Sequence, residues 1–268
     1  MQVYERLEQY NDVVKIYMSN DSYCFDDVID DNCKYKYSDF KNRISCNIRK
    51  ENGTIIIDSP FRAGSGIVLL VNNEFFVLSY RHPNEYTEPL KVQGFGGHIP
   101  FGETWFYSAK RELSEELALV GIKNNGRADF LYFDRIDPKL YGLASVSFDI
   151  DESINIADKL EIIECDCTSK YQIYKGDRLI ESGNAIMYFD IKRNSIEVLF
   201  VANVSIDGYK YLVPLHNEMG GEIGFLLHKN LIKYIDRDYF SEAMIGNLDR
   251  IVKCIFNEKC SDKGIVFM

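Results

Sequence analysis

The stretch GGHIPFGETWFYSAKRELSEELAL, running from Gly96 to Leu119, decides how this chain is read. At 100° per residue, Glu112, Glu115 and Glu116 fall on one side of a helix, because positions three and four apart are surface neighbours. Phe106, Ala109, Leu113, Leu117 and Val120 form a second stripe at steps of three, four, four and three. One stripe can pack on a sheet while the acidic one faces a cleft. An acidic helical face alone is commonly only a solvated surface, but here three like charges are crowded together behind glycines. A cation among them turns that repulsion into attraction. Magnesium suits the donors, since it prefers oxygen, keeps several waters and is commonly held by a few carboxylates plus substrate phosphates. Arg111 points between the stripes, and its planar fork matches a carboxylate. Gly94, Gly96 and Gly97 predict a tight loop that can approach a ligand closely, and Thr104 is the expected N-cap.

Gly97, Glu103, Arg111, Glu112, Leu113, Glu115, Glu116 and Leu119 carry a resemblance to the Nudix box. That pattern is a glycine, five residues, Glu, seven residues, then Arg-Glu-apolar-x-Glu-Glu-x-Gly-apolar. Ala118 is the one departure, standing where the family has its late glycine. Gly121 could close the helix instead, lengthening it by about one turn. The resemblance implies an α+β protein, an α/β/α sandwich around a mixed sheet. It implies that Glu112, Glu115 and Glu116 ligate Mg²⁺ or Mn²⁺, with a backbone carbonyl of Gly96 or Gly97 completing the shell. Arg111 would pair with Glu103 and fix the loop. The expected activity is hydrolysis of the diphosphate linkage in a nucleoside diphosphate joined to another group. ADP-ribose or a nucleotide sugar is favoured by analogy with larger members. Family members differ in their general base: Glu112 is the first candidate here, and Glu218 or Glu222 beside Gly220-Gly221 the second.

Two other readings stay open. One is a nucleotide sensor that binds without cleaving. The other is a relative of isopentenyl diphosphate isomerase, which needs an upstream Cys and His-rich metal ligands; Tyr80-Arg81-His82-Pro83 supplies one His at best.

Outward from the box, residues 66–81 read as a hairpin: Ile67–Val71, a turn at Asn72-Asn73, and Glu74–Leu78 returning. Leu90–Phe95 leads into the glycines. Strands are expected at Asp129–Arg135, Ala144–Ile150, Lys159–Cys165, Tyr171–Tyr174, Ala185–Asp190 and Ile196–Val204. Helices are expected at His228–Ile235 and at Ser241–Phe256, the latter capped by Ser241 with Ile245, Leu248, Ile251, Val252 and Ile255 buried. These assignments divide the chain into an extension over residues 1–60, a Nudix domain over 61–240, and a helix and tail over 241–268. An inserted hairpin is expected near 150–185, where Lys175-Gly176-Asp177 marks a turn. Within the extension, Ile55–Ile57 reads as a strand after Glu51-Asn52-Gly53. The extension as a whole reads as a sheet extension, a homodimer arm or a substrate lid.

With 268 residues and 46% hydrophobic content, the chain can bury a sizeable core. A net charge of −10 argues against non-specific nucleic-acid binding, which needs Lys and Arg against phosphates. It leaves a nucleotide substrate open, because a bound metal supplies local positive charge. No apolar run reaches the roughly 18 residues of a membrane span. The opening segment has no apolar signal core, so a cytoplasmic location is expected. Seven cysteines at irregular spacing predict reduced thiols. Cys165-x-Cys167 is too close for a zinc-ribbon pair, and no second pair in the sequence matches it. The four histidines form no metal-binding set.

Overall fold

The computed structural model describes residues 13–18, 23–24, 35–36, 47–52, 54–58, 62–81, 91–100, 103–133, 141–154, 156–157, 159–190, 195–206, 212–216, 223–260 and 265–267. In chain order the first strands are β1 (Val14–Met18), β2 (Tyr23–Cys24), β3 (Tyr35–Lys36), β4 (Asn47–Glu51), β5 (Thr54–Asp58), β6 (Arg62–Val71), β7 (Phe75–Tyr80), β8 (Val92–Gln93) and β9 (Phe95–His98). Helix α1 (Trp105–Glu116) follows. Then come β10 (Leu117–Phe133), β11 (Tyr141–Ile154), β12 (Glu161–Ile162), β13 (Ser169–Lys175), β14 (Arg178–Asp190), β15 (Ser195–Val204), β16 (Leu212–His216) and β17 (Ile223–His228). Helix α2 (Glu242–Ile255) and β18 (Ile265–Phe267) complete the order.

Nine of these strands form a continuous path, β17-β7-β6-β15-β14-β13-β1-β5-β4, with β8, β9, β12 and β18 paired alongside. The sheet is mixed: β6 runs parallel to β15, while β6–β7 and β14–β15 are antiparallel. Alternation along β6 sends Ile67, Leu69 and Val71 to one face and Val68 and Leu70 to the other. Trp105, Ala109 and Leu113 of α1 cover the first face. Met244, Leu248 and Ile251 of α2 cover the second. A helix on each side of a mixed sheet gives the expected α/β/α layering. A separate three-stranded sheet, β11-β10-β16, holds the long hairpin after α1.

Local chemistry explains several elements. Asn72 and Asn73 both take positive φ, 52° and 54°, which closes the β6–β7 turn. Gly176 at φ 60° does the same between β13 and β14. Ser241 caps α2 by accepting from the Met244 N–H at 3.3 Å. Strands β1, β5 and β4 continue the main sheet beyond β13. Among the described residues no helix is long and apolar enough to cross a membrane.

Four expectations need correction. Gly96 and Gly97 lie in a strand, not a loop, while Gly94 joins β8 to β9: Gly96 pairs with Gly66 and Gly97 with Ser65 across β9–β6. The box helix stops at Glu116 rather than reaching Gly121, since Leu117 takes extended angles (φ −134°, ψ 129°) and enters β10. There Leu117 pairs with His216 and Ala118 with Leu215, so strand pairing wins over helix propagation. Over 228–235, His228 ends β17 and Lys229–Tyr234 forms a 3₁₀ helix; Ile232 is buried but Leu231 is exposed. Finally, four cysteines are not free thiols, because Cys165 is bonded to Cys254 and Cys167 to Cys260.

Candidate functional site

Helix α1 begins after Thr104, whose backbone is extended but whose side chain makes no capping bond. The N-terminus is satisfied from elsewhere. Glu181 on β14 accepts from the Phe106 N–H at 3.0 Å and from the Tyr171 hydroxyl at 2.9 Å. A carboxylate there complements the positive end of the helix dipole, which has no acidic residue of its own in the first turn. Sequence reasoning missed Glu181. It lies 75 residues from its partner, and no local pattern signals so distant a contact. Burial first, then the charge and hydrogen bond of Glu181, push the Tyr171 hydroxyl's pKa up, so it stays a donor.

Trp105 and Phe106 anchor the helix: Trp105 lies 5.2 Å from the Tyr171 ring and Phe106 5.0 Å from Phe200. With this face fixed, the acidic stripe turns toward β9. Glu116 accepts from the Gly96 N–H at 3.1 Å. Glu112 lies so close to Gly97 that a Cβ added there would stand 2.6 Å from its carboxylate carbon. The missing side chain at Gly97 is therefore the space that Glu112 occupies. Gly94 is needed for a different reason, since a Cβ there would meet the Ile67 carbonyl oxygen at 2.9 Å.

Arg111 is the hub. Its Nε donates to both oxygens of Glu103 at 3.2 Å, its Nη2 to Glu112 at 2.8 Å, and its Nη1 to Glu115 at 2.8 Å. The structure puts the Arg111 guanidinium among the carboxylates of the stripe. Partial burial works to lower its pKa. Glu112 first, then Glu103 and Glu115, outweigh that and hold it above the ordinary arginine value.

The structure thus brings Glu103, Arg111, Glu112, Glu115, Glu116, Gly96 and Gly97 into one neighbourhood. Glu218 and Glu222, the alternative bases, lie outside the described residues. The donor set is all oxygen, which fits a hard divalent cation such as Mg²⁺ or Mn²⁺. Glu115 is the most open of these carboxylates at 48% side-chain exposure.

No protein-family model and no curated protein matches the sequence. Solved structures do align. A NUDIX hydrolase from Nitrosomonas europaea matches at 15% identity and TM-score 0.41, covering 83% of this chain and 94% of its own. A NUDIX-family hydrolase from Clostridium perfringens matches at 14% and 0.37, covering 74% and 98%. An Ap4A hydrolase from C. elegans matches at 14% and 0.35, covering 74% and 99%. At such identities and TM-scores the likeness assigns no chemistry to this chain, which must come from its own residues.

Proposed function

We propose that this chain is a metal-dependent Nudix hydrolase that cleaves the diphosphate linkage of a nucleoside diphosphate joined to a second group, with ADP-ribose or a nucleotide sugar as the preferred class. The observation that carries the reading is the seating of Glu112 and Glu116 against Gly97 and Gly96, with Arg111 tying Glu112 and Glu115 to Glu103. Glu112, Glu115 and Glu116 are the side chains that would hold Mg²⁺ or Mn²⁺. A divalent ion there neutralises phosphate oxygens and makes a bound water more acidic. Arg111 keeps Glu103 in place as the stem of the clamp. Glu112, flanked by Gly97 on one side and Arg111 on the other, is the carboxylate we assign to accept a proton from water, with Glu218 or Glu222 as the second candidate.

A substrate panel in Mg²⁺ tests this: ADP-ribose, nucleotide sugars, dinucleoside polyphosphates, dNTPs and isopentenyl diphosphate, with products identified by chromatography. Mononucleotide plus a second phosphate ester supports the proposal. Isomerised prenyl diphosphate without cleavage would replace it with the isomerase. Tight nucleotide binding without turnover would make the domain a sensor.

A further inference from the structure

Cys165 and Cys167 sit on a tight turn at the seam between the main sheet and α2. The Thr168 N–H donates to the Cys165 carbonyl at 3.1 Å, and the Cys167 N–H donates to Cys165 Sγ at 3.3 Å. Cys254 lies in the last turn of α2, and Cys260 follows once Asn257, at φ 53°, has closed the helix. Sequence separations of 89 and 93 residues therefore collapse into two pairs, each with Cα atoms 5.2 Å apart. The match that Cys165-x-Cys167 lacked in the sequence is Cys254 with Cys260.

We propose that these four cysteines form a soft-metal site, filled by Zn²⁺ when the thiols are reduced, of which the two disulfides are the oxidised form. Four thiolates around one ion is a common structural zinc centre. Zn–S bonds of about 2.3 Å place neighbouring sulfurs roughly 3.8 Å apart in a tetrahedron, against about 2.0 Å in a disulfide. Each sulfur then withdraws by about 0.9 Å, a side-chain adjustment within the existing Cα spacing.

Three surroundings favour the metal. First, the Cys167 N–H aimed at Cys165 Sγ is a donor suited to a thiolate, which accepts more strongly than a neutral sulfur. Second, Arg250 is 5% exposed and donates to the Cys167 carbonyl at 3.0 Å and the Met187 carbonyl at 2.8 Å. Four thiolates and one Zn²⁺ sum to two negative charges, which a buried guanidinium bonded to the Cys167 carbonyl helps to offset. Third, a cavity of about 310 Å³ lined by Cys254, Glu161, Asn203 and Asn257 gives the ion a way in, although Cys167 is fully buried and Cys254 only 3% exposed. Nothing in this assignment depends on the reaction at the glycine strand.

The test uses the full chain, reduced anaerobically with a phosphine. Each S–S bond takes two electrons from the phosphine and two protons from water, and the phosphine leaves as its oxide. With excess Mg²⁺ present to occupy the carboxylates, Co²⁺ is titrated in and then displaced by Zn²⁺. One equivalent of Co²⁺ should give thiolate-to-cobalt charge transfer and intense tetrahedral d–d absorption, both lost on adding Zn²⁺. Cys165→Ser and Cys260→Ser should each weaken the charge-transfer band while keeping wild-type far-ultraviolet circular dichroism. If those variants do not fold, wild type decides the matter: protein with both bridges intact by mass should show no band until reduced. Fully reduced, folded protein without a thiolate–cobalt band would overturn the site. So would an undiminished band in either folded variant.

Discussion

Gly97→Ala offers the sharpest test of the candidate site. The added Cβ would stand 2.6 Å from Cδ and Oε2 of Glu112 and 2.7 Å from Oε1. Non-bonded carbon needs about 3.5–4.0 Å, so the carboxylate must retreat by about 1 Å. It is the far end of a flexible side chain, so it can swing away without moving the backbone. The folding penalty should therefore stay at or below the roughly 1–3 kcal/mol of ordinary overpacking. Swinging away breaks the 2.8 Å bond to Arg111 and carries Glu112 off its position. A misplacement of about 1 Å can slow turnover about 10²-fold, or roughly 2.7 kcal/mol in barrier.

Gly94→Ala is the matching control. Its Cβ would meet the Ile67 carbonyl oxygen at 2.9 Å, and Ile67 is fully buried in β6, so the obstacle is rigid backbone. That variant should lower the melting temperature more than Gly97→Ala does. Steady-state turnover on the best substrate of the panel, alongside thermal melts, reads both effects. A folded Gly97→Ala protein turning over within about twofold of wild type would show that Glu112 is not needed where it lies. The proposed role of the carboxylate would then fail.

Four further outcomes are expected. Glu103→Ala and Arg111→Ala should be coupled by at least about 0.5 kcal/mol in a double-mutant cycle read by urea unfolding; additive effects would mean their contact contributes nothing. Glu181→Ala should cost about 1 kcal/mol, as loss of a helix cap does, and should speed hydrogen exchange at the Phe106 amide, whereas unchanged exchange would refute the capping role. Burial and the neighbouring Glu181 raise the Tyr171 pKa above its ordinary 10.0. The folded state thus keeps a proton that the unfolded state releases, and its stabilisation is complete below that pH and declines above it. Tyr171→Phe should lose less stability than wild type between about pH 9 and about pH 11 in urea titrations, and parallel curves would contradict this. Removing divalent ions with a chelator should abolish turnover, with Mg²⁺ or Mn²⁺ restoring it; turnover that survives exhaustive chelation would rule out the metal.

How far the sequence could be read depended on the range of the interactions. The Asn72-Asn73 turn, the Ser241 cap and the apolar face of α2 are decided within a few residues, and all three appear as expected. The start of α1 falls after Thr104 as expected, but the carboxylate that accepts from its first turn is Glu181, 75 residues away. The end of α1 was not legible, because it depends on the pairing of Leu117 with His216, almost a hundred residues away. The glycines misled for a related reason. Gly96 and Gly97 read locally as a loop, yet they form a strand because β6 offers Gly66 and Ser65 as partners in a crowded approach. Within the site, the spacing of Glu112, Glu115 and Glu116 was visible in the sequence. That Arg111 holds two carboxylates of the acidic cluster as well as Glu103 was not.

That arrangement bears on how a metal site of the proposed kind could exist before an ion binds. Three carboxylates on one face of a single helix repel, and Glu112 is seated against Gly97. Arg111 relieves the repulsion by spending each nitrogen of its fork on a different carboxylate. The contacts differ in exposure: Glu115 is 48% exposed and Glu112 only 16%. Exposed ion pairs contribute roughly 0–1 kcal/mol, so a divalent ion bound as proposed would displace the Arg111–Glu115 contact at little cost. Glu103, off the helix and held by Nε alone, can keep the guanidinium anchored if Glu115 and Glu112 exchange it for the proposed metal. A residue that only balanced charge could be replaced by lysine. Three carboxylates held by separate nitrogens of one rigid plane require the arginine fork.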